Sequence, residues 1–175
     1  MRIHNYMKHK PVGKHVLMDF RGCKNHEILR DSISLEKLIE ENIHLTKSKI
    51  VKTIGHWFDN NNYEAYTHLS IISESHTAFH TYPEYNAVFG EIFTCGETDP
   101  EYILKPLLYA FEPKSGTITL KWRYLDENFK IDLSETFDID YIKKVLKDYA
   151  KNQIEMTKYD EESIVFHFNK KDYQQ

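Results

Sequence analysis

Four kinds of reactive side chain fall within one short segment of this 175-residue chain. Glu74, Ser75, His80 and Cys95 provide a carboxylate, a hydroxyl, an imidazole and a thiol. A serine hydroxyl becomes a nucleophile when a neighbouring group takes its proton, and an imidazole can do this near neutral pH. A thiol can return a proton to carbon where water is excluded. The segment therefore carries the groups needed for an acyl transfer followed by proton transfers.

Taken one at a time, these residues have plainer explanations. A serine such as Ser75 at the end of a strand commonly satisfies a backbone group, and a histidine such as His80 commonly binds a backbone carbonyl in the core. A buried free cysteine is usually inert packing, and a corner glutamate such as Glu84 is usually solvated. That carboxylate could instead accept two hydrogen bonds from a ribose diol. Single residues therefore leave the function open.

Predicted β-strands hold the reactive segment. Runs rich in β-branched and aromatic residues predict strands, and apolar residues at helical spacing, such as Leu35, Leu38 and Ile39, predict helices. The run Asp59–Asn62 predicts a turn, and Pro106 is expected to kink or shorten its helix. The predicted strands are 14–20, 49–58, 64–73, 76–82, 87–94, 116–125 and 163–168, and the predicted helices are 34–46, 99–111 and 139–152.

This order of elements predicts an α+β fold, because the strands cluster instead of alternating strictly with helices. We expect a two-layer α/β sandwich, with a largely antiparallel sheet and helices on one face. Pro83 and Asn86 are expected to frame the corner between two strands. Asp99 followed by Pro100 predicts the start of the second helix, with the carboxylate as its N-cap.

The strand 87–95 suggests a partner. Phe89 and Phe93 point to one face of this strand, whereas Val88 and Ile92 point to the other. Both faces are therefore apolar and both need cover. Helices supply one layer, and we expect a second subunit to supply the other, which makes a four-layer homodimer.

Composition sets further limits. The net charge of -4 at pH 7 does not favour nucleic acid as a partner, and no apolar run approaches the length that spans a membrane. The two cysteines, Cys23 and Cys95, are too few for a disulfide framework or a zinc site. They favour a reducing, cytoplasmic location.

The order of the motifs resembles that of the prokaryotic S-adenosylmethionine decarboxylases, which cut their own chain at a Glu-Ser bond. The pattern of that family is close to ESHxxxHTWPEYG, followed by an apolar strand and FTCG. The matching stretches here are Glu74–His76, His80–Tyr85 and Phe93–Gly96, and the strand in Gly13–Cys23 also looks like the family's first strand. The similarity covers residues 13 to 123.

Four positions depart from the family pattern. Tyr82 stands where the family has Trp and keeps an aromatic plane. Asn86 replaces a Gly and is among the residues that best tolerate a left-handed turn. Glu91 replaces an Asp and is one methylene longer. Thr67 replaces a Ser that helps chain cleavage in the family, and it keeps the hydroxyl.

The resemblance implies that the chain makes its own cofactor. The Ser75 hydroxyl attacks the carbonyl of Glu74 and converts the peptide bond to an ester, while Thr67 helps to stabilise the oxyanion. His80 then removes the Cα proton of residue 75, and the ester breaks by β-elimination. Hydrolysis with loss of ammonia turns Ser75 into a pyruvoyl group.

Cleavage would divide one pyruvoyl-dependent decarboxylase domain into two chains. The resemblance assigns no role to the last fifty residues, which extend beyond the shorter family members. The expected parts are the single domain 1–175, the β chain 1–74, the α chain 75–175 and the extension 125–175.

The resemblance also implies the second reaction. The pyruvoyl ketone forms a Schiff base with the amine of S-adenosylmethionine and accepts electrons as CO2 leaves. Cys95 then protonates the substrate carbon. Phe58 stacks on adenine, Tyr82 lines the substrate site and Glu84 holds the ribose. The family acts as a homodimer and supplies spermidine biosynthesis, and this scheme requires no metal, nucleic acid or membrane.

Two alternatives stay open at this stage. A pyruvoyl decarboxylase of the same family that acts on ornithine or arginine would keep Ser75, His80 and Cys95 but reshape the pocket. A non-catalytic subunit would never cleave and would only bind a partner. The Glu-Ser bond, His80 and Cys95 argue against this subunit, and Glu84 argues for a nucleoside substrate.

Overall fold

A computed structural model gives the fold and describes residues 13–60, 63–123, 136–151, 153–158 and 162–170. The helices are α1 (Ser32–Asn42), α2 (Leu104–Phe111) and α3 (Ile139–Ala150). The strands are β1 (Gly13–Arg21), β2 (Ile50–Asn60), β3 (Tyr63–Ile72), β4 (Ser75–Tyr82), β5 (Ala87–Cys95), β6 (Ser115–Arg123), β7 (Ile154–Lys158) and β8 (Ser163–Asn169). These strands form one sheet in the order β2-β3-β4-β5-β1-β6-β8-β7, and every neighbouring pair is antiparallel. Within the described ranges, no helix is long and apolar enough to cross a membrane.

One hydrophobic core lies between the sheet and the three helices. Alternate residues of each strand point into it. Val16 of β1 lies between Ile92 of β5 and Leu120 of β6, and all three side chains are fully buried. Leu107 of α2 and Leu146 of α3 are fully buried in the same core. The predicted two-layer sandwich with an antiparallel sheet is confirmed.

We call the opposite side of the sheet the open face, because none of these three helices covers it. Several of its apolar side chains are only partly shielded from solvent. Ile54 of β2 and Ile71 of β3 are 55% and 51% exposed, and Phe89 and Phe93 of β5 are half-buried. β5 therefore has apolar residues on both faces, as predicted. The second subunit remains a prediction.

The start of α2 differs from the prediction. Asp99 makes no N-cap hydrogen bond, because its carboxylate binds Lys14 Nζ at 3.2 Å and Lys47 Nζ at 2.6 Å. A 3₁₀ turn, Pro100–Ile103, follows and delays the α-helix. Pro106 thus falls in the first turn of α2, where backbone N–H groups have no partner within the helix.

Other boundaries shifted where pairing or capping overrode local preference. Asp59 and Asn60 continue β2 instead of turning, and the rest of the predicted turn lies outside the described residues. α1 begins earlier than predicted because the Asp31 carboxylate accepts from the N–H of Ile33, and it passes into a 3₁₀ turn at Ile43–Thr46. β7 was not predicted; its short sequence is held in the sheet by pairing with β8. The predicted ends at 124–125 and 152 lie outside the described residues.

Candidate active site

The peptide bond between Glu74 and Ser75 lies where the β3–β4 hairpin enters β4. Ser75 pairs with Thr94 of β5, and the backbone N–H of Cys95 donates a 3.0 Å hydrogen bond to the carbonyl oxygen of Glu74. This is the carbonyl that the Ser75 hydroxyl would have to attack. A backbone N–H aimed at such an oxygen stabilises the negative charge that develops on it.

An imidazole stands directly beside the hydroxyl. Oγ of Ser75 lies 3.2 Å from Nδ1 of His76. The other ring nitrogen of His76 lies 3.4 Å from one carboxylate oxygen of Glu91, and the second carboxylate oxygen lies 2.9 Å from Nε2 of His15. Neither histidine has a role predicted from the sequence. The Glu-Ser-His tripeptide was a signal for His76, whereas only the pairing of β1 with β5 brings in His15.

Phe93 packs against both of these histidines. His15, Phe93 and His76 occupy one row across β1, β5 and β4, and the imidazole centroids lie 5.5 Å and 5.8 Å from the Phe93 ring. The guanidinium of Arg123 lies 5.5 Å from the same ring. Burial lowers the pKa of His15 below its usual value near 6.5, although the carboxylate of Glu91 opposes this shift. Burial therefore favours the neutral form of the His15 imidazole.

A second group of predicted residues lies farther along β4. Thr67 and His80 are paired on β3 and β4, and Thr67 Oγ1 lies 2.9 Å from Nδ1 of His80. The ring of Tyr82 packs against Phe89 with centroids 5.2 Å apart, and the Arg21 guanidinium lies 5.3 Å from the centre of the Phe89 ring. A pocket of about 410 Å³ opens here, lined by Arg21, Tyr82, Tyr85, Ala87 and Phe89.

The other two predicted substrate residues lie at the same end of the sheet. Phe58 is 43% exposed and pairs with Ala65, two residues before Thr67 on β3. Glu84 is exposed in the 3₁₀ turn that follows β4. Asn86 closes this turn in the left-handed conformation at φ 49°. This conformation was expected, because the family has a Gly at this position and Asn tolerates a left-handed turn.

Two clusters therefore stand apart. The cleavage cluster comprises Glu74, Ser75, His76, Glu91 and Cys95. The pocket cluster comprises Tyr82, which lines the pocket, together with Phe58, Thr67, His80 and Glu84 at the same end of the sheet. Ser75 and His80 belong to the same strand and are separated by five residues, or about 16 Å at the ~3.3 Å rise of a β-strand. Proton transfer needs a separation of about 3 Å. Within one chain the structure does not bring His80 or Thr67 to Ser75. In the described part of the chain, no three His, Cys, Asp or Glu side chains are grouped to hold a metal ion.

Comparison with known proteins identifies the family. The sequence model for S-adenosylmethionine decarboxylase matches residues 14–124. The chain belongs to the S-adenosylmethionine decarboxylase family. The resemblance seen in the motifs, and the enzyme class that it implies, are thereby confirmed.

Individual relatives carry two different names. The S-adenosylmethionine decarboxylase proenzyme of Thermodesulfovibrio yellowstonii is 33% identical over 108 residues, which are 61% of this chain and 77% of that protein. The proenzyme of the same name from Archaeoglobus fulgidus is 33% identical over 105 residues, 59% of this chain and 90% of that one. An arginine decarboxylase proenzyme of Pyrobaculum arsenaticum is 28% identical over 130 residues, 74% of this chain and 94% of that one.

Two solved structures share the fold. The adenosylmethionine decarboxylase of Aquifex aeolicus superposes with a TM-score of 0.58 at 20% identity, covering 70% of this chain and 99% of that one. The AdoMetDC-delta26 monomer of Trypanosoma brucei superposes with a TM-score of 0.52 at 14% identity, covering 91% of this chain and 66% of that one. The second match covers more of this chain than residues 1–124 contain, so the similarity of fold continues into the extension.

Proposed function

We propose that this family member makes a pyruvoyl cofactor from Ser75 by cleaving its own chain after Glu74, and that it then decarboxylates S-adenosylmethionine. The main support is the hydrogen bond from the Cys95 N–H to the Glu74 carbonyl, beside the Ser75 hydroxyl. The nucleophile, the carbonyl that it attacks and a donor for the oxyanion meet at one junction. This arrangement fits a residue that is converted in place.

The surroundings of Ser75 also fit decarboxylation after cleavage. A pyruvoyl group supplies a ketone that holds a substrate amine and accepts electrons as CO2 leaves. Cys95 directly follows Thr94, the residue paired with Ser75, and its side chain is half-buried. We assign to this thiol the protonation of the substrate carbon.

We further propose that two copies of the chain build each active site. His76, His80 and Cys95 share the open face of the sheet, but the cleavage cluster and the pocket cluster lie too far apart to act together in one chain. Two-fold pairing of two open faces would set the cleavage cluster of each chain against the pocket cluster of its partner. Thr67 and His80 would then reach the other chain's Ser75, and the apolar open face would lose its exposure to water.

The pocket cluster supports a nucleoside substrate. Tyr82 and the exposed ring of Phe58 offer aromatic surface for a base, and the carboxylate of Glu84 can accept hydrogen bonds from two ribose hydroxyls. The second candidate is decarboxylation of arginine, because one relative carries that name. In this case Glu84 would instead face a basic group.

The pathway follows from this substrate, and the cysteines indicate the location. Decarboxylated S-adenosylmethionine donates aminopropyl groups, so we assign the protein to spermidine biosynthesis. The two cysteines, Cys23 and Cys95, are free thiols, which is typical of the reducing cytoplasm.

Mass spectrometry of the purified protein tests the cofactor. We expect two fragments divided between Glu74 and Ser75, the second beginning with a pyruvoyl group. Ser75→Ala is the matched control and should stay intact, because no hydroxyl remains to attack. A wild-type chain that stays intact through long incubation at its native pH contradicts self-cleavage.

Release of labelled CO2 tests the substrate. The processed protein is offered S-adenosylmethionine, arginine and ornithine, each labelled in the carboxyl carbon. We expect CO2 from S-adenosylmethionine, and a KM raised about tenfold in Glu84→Gln because charge-assisted hydrogen bonds to the ribose are lost. Release from arginine alone favours the second candidate.

A further inference from the structure

We propose that His76 is the general base of the first cleavage step, taking the proton of the Ser75 hydroxyl as its oxygen attacks the Glu74 carbonyl. The inference rests on the proposed self-cleavage and adds a catalytic residue to it. His80 keeps the later step, removal of the Cα proton of residue 75. The two histidines would then serve separate steps.

The geometry places His76 at the reacting atoms. Its Nδ1 lies 3.2 Å from Oγ of Ser75, within the range in which a base can take a proton. The His80 of the same chain, in contrast, is about 16 Å from Ser75 along the strand, so the later step needs the His80 of a second copy. On the other side of the bond, the Cys95 N–H already contacts the Glu74 carbonyl oxygen. A base and an oxyanion donor therefore flank the same peptide bond.

Glu91 selects the tautomer of His76 that can act as a base. One carboxylate oxygen of Glu91 lies 3.4 Å from Nε2 of His76. A carboxylate stabilises a proton on the nitrogen that faces it, so the proton resides on Nε2. Nδ1 is then left with a free lone pair, and this lone pair faces the Ser75 hydroxyl.

His15 in turn orients Glu91. Nε2 of His15 lies 2.9 Å from the second oxygen of Glu91, and Nδ1 of His15 lies 3.5 Å from Nη2 of Arg123. A guanidinium only donates, so Nδ1 of His15 accepts and its Nε2 carries the proton that Glu91 accepts. Each side-chain nitrogen and oxygen atom of His15, Glu91 and His76 then has one consistent role as donor or acceptor. We therefore assign Glu91 and His15 as positioning residues, with the ring of Phe93 packed against both imidazoles.

The proton balance closes without another reactant. The O–H bond of Ser75 breaks, its proton moves to Nδ1 of His76, and a bond forms between Oγ and the carbonyl carbon of Glu74. The oxyanion is held by the Cys95 N–H. As the C–N bond of the old peptide breaks, His76 returns the same proton to the nitrogen of Ser75. The product is an ester with a free amine, which is the intermediate on which His80 acts next.

Hydroxylamine at neutral pH makes this first step measurable, because it cleaves esters and leaves peptide bonds intact. In His80→Ala the ester should accumulate, and hydroxylamine should cut the chain between Glu74 and Ser75. Adding His76→Ala to this background should slow hydroxylamine-dependent cleavage at least about 100-fold. Imidazole in the buffer should restore part of the rate, since the His76 side chain is 38% exposed. Glu91→Gln should also slow the same step, because the carboxylate that holds the proton on Nε2 of His76 is lost.

His167 provides the matched control, because it is an exposed histidine on β8, outside both clusters. Adding His167→Ala to His80→Ala should leave hydroxylamine cleavage unchanged. A His76→Ala/His80→Ala chain that is cut as fast as His80→Ala overturns the role of His76 and leaves the proposed function standing. Loss of cleavage without imidazole rescue assigns His76 to packing and also overturns it. A wild-type chain that never cleaves overturns the proposed function and this inference together.

Discussion

Two inactive variants should complement each other in a mixed dimer if the active site is shared between chains. Ser75→Ala lacks the nucleophile, and His80→Ala lacks the base for elimination, so neither should yield a processed enzyme alone. In a mixed dimer, one site would combine Ser75 of the His80→Ala chain with His80 of the Ser75→Ala chain. That site is intact, whereas the other site lacks both groups.

The structure and the symmetry set the size of the effect. The distance of about 16 Å between Ser75 and His80 along β4 exceeds the reach of proton transfer about fivefold. His80 therefore cannot act on Ser75 of its own chain. Random pairing of equal amounts puts about half of all chains into mixed dimers. One site in each mixed dimer is intact. About half of the His80→Ala chains, and none of the Ser75→Ala chains, should therefore be cut.

The assay is coexpression of the two variants with different affinity tags. Mixed dimers are isolated through both tags in turn, and the tag on each fragment shows which chain was cut. Purified mixed dimers should show cleavage of nearly every His80→Ala chain. If these chains stay intact in a mixed dimer while wild-type chains cleave, the shared site is refuted. Sedimentation showing only monomer at micromolar concentration would refute it as well.

Three further outcomes are expected. Cys95→Ala should cleave its chain normally but release CO2 about 10²–10⁴-fold more slowly, because only turnover needs an acid aimed at the substrate carbon. A wild-type rate of CO2 release would show that this thiol only packs against its neighbours. Stability in urea should fall as pH drops below about 6.5, because burial lowers the pKa of His15 and of His68, so the unfolded chain binds protons that the folded chain does not. A profile that is flat from pH 7.5 to about 5.5 would contradict this linkage. Leu146→Ala should cost about 2–5 kcal/mol in the same unfolding assay, because this fully buried α3 side chain leaves a cavity in the common core; the exposed Ile33 is the control position for a similar truncation.

Local patterns in the sequence were sufficient for the family and for most of the fold. The Glu-Ser-His, HTYPEY and FTCG motifs identified the family because their residue types and spacing are rare in combination. Runs of β-branched and aromatic residues predicted β1, β4 and β5, since this enrichment is a property of each segment by itself. The left-handed Asn86 also followed from a local rule, because few residues tolerate that conformation. β7 escaped prediction because its pairing with β8, and not its own pattern, makes it a strand.

The arrangement of the site required the tertiary structure. The resemblance implied that His80 acts on residue 75, but an extended strand separates the His80 and Ser75 of one chain by about 16 Å. Conversely, His15 lies far from His76 in sequence, and antiparallel pairing of β1, β5 and β4 places both rings against Phe93 and both nitrogens against Glu91. Strand register is a non-local property, fixed by which faces must be buried together. It decides which reactive groups meet, whereas the local sequence decides only which groups are available.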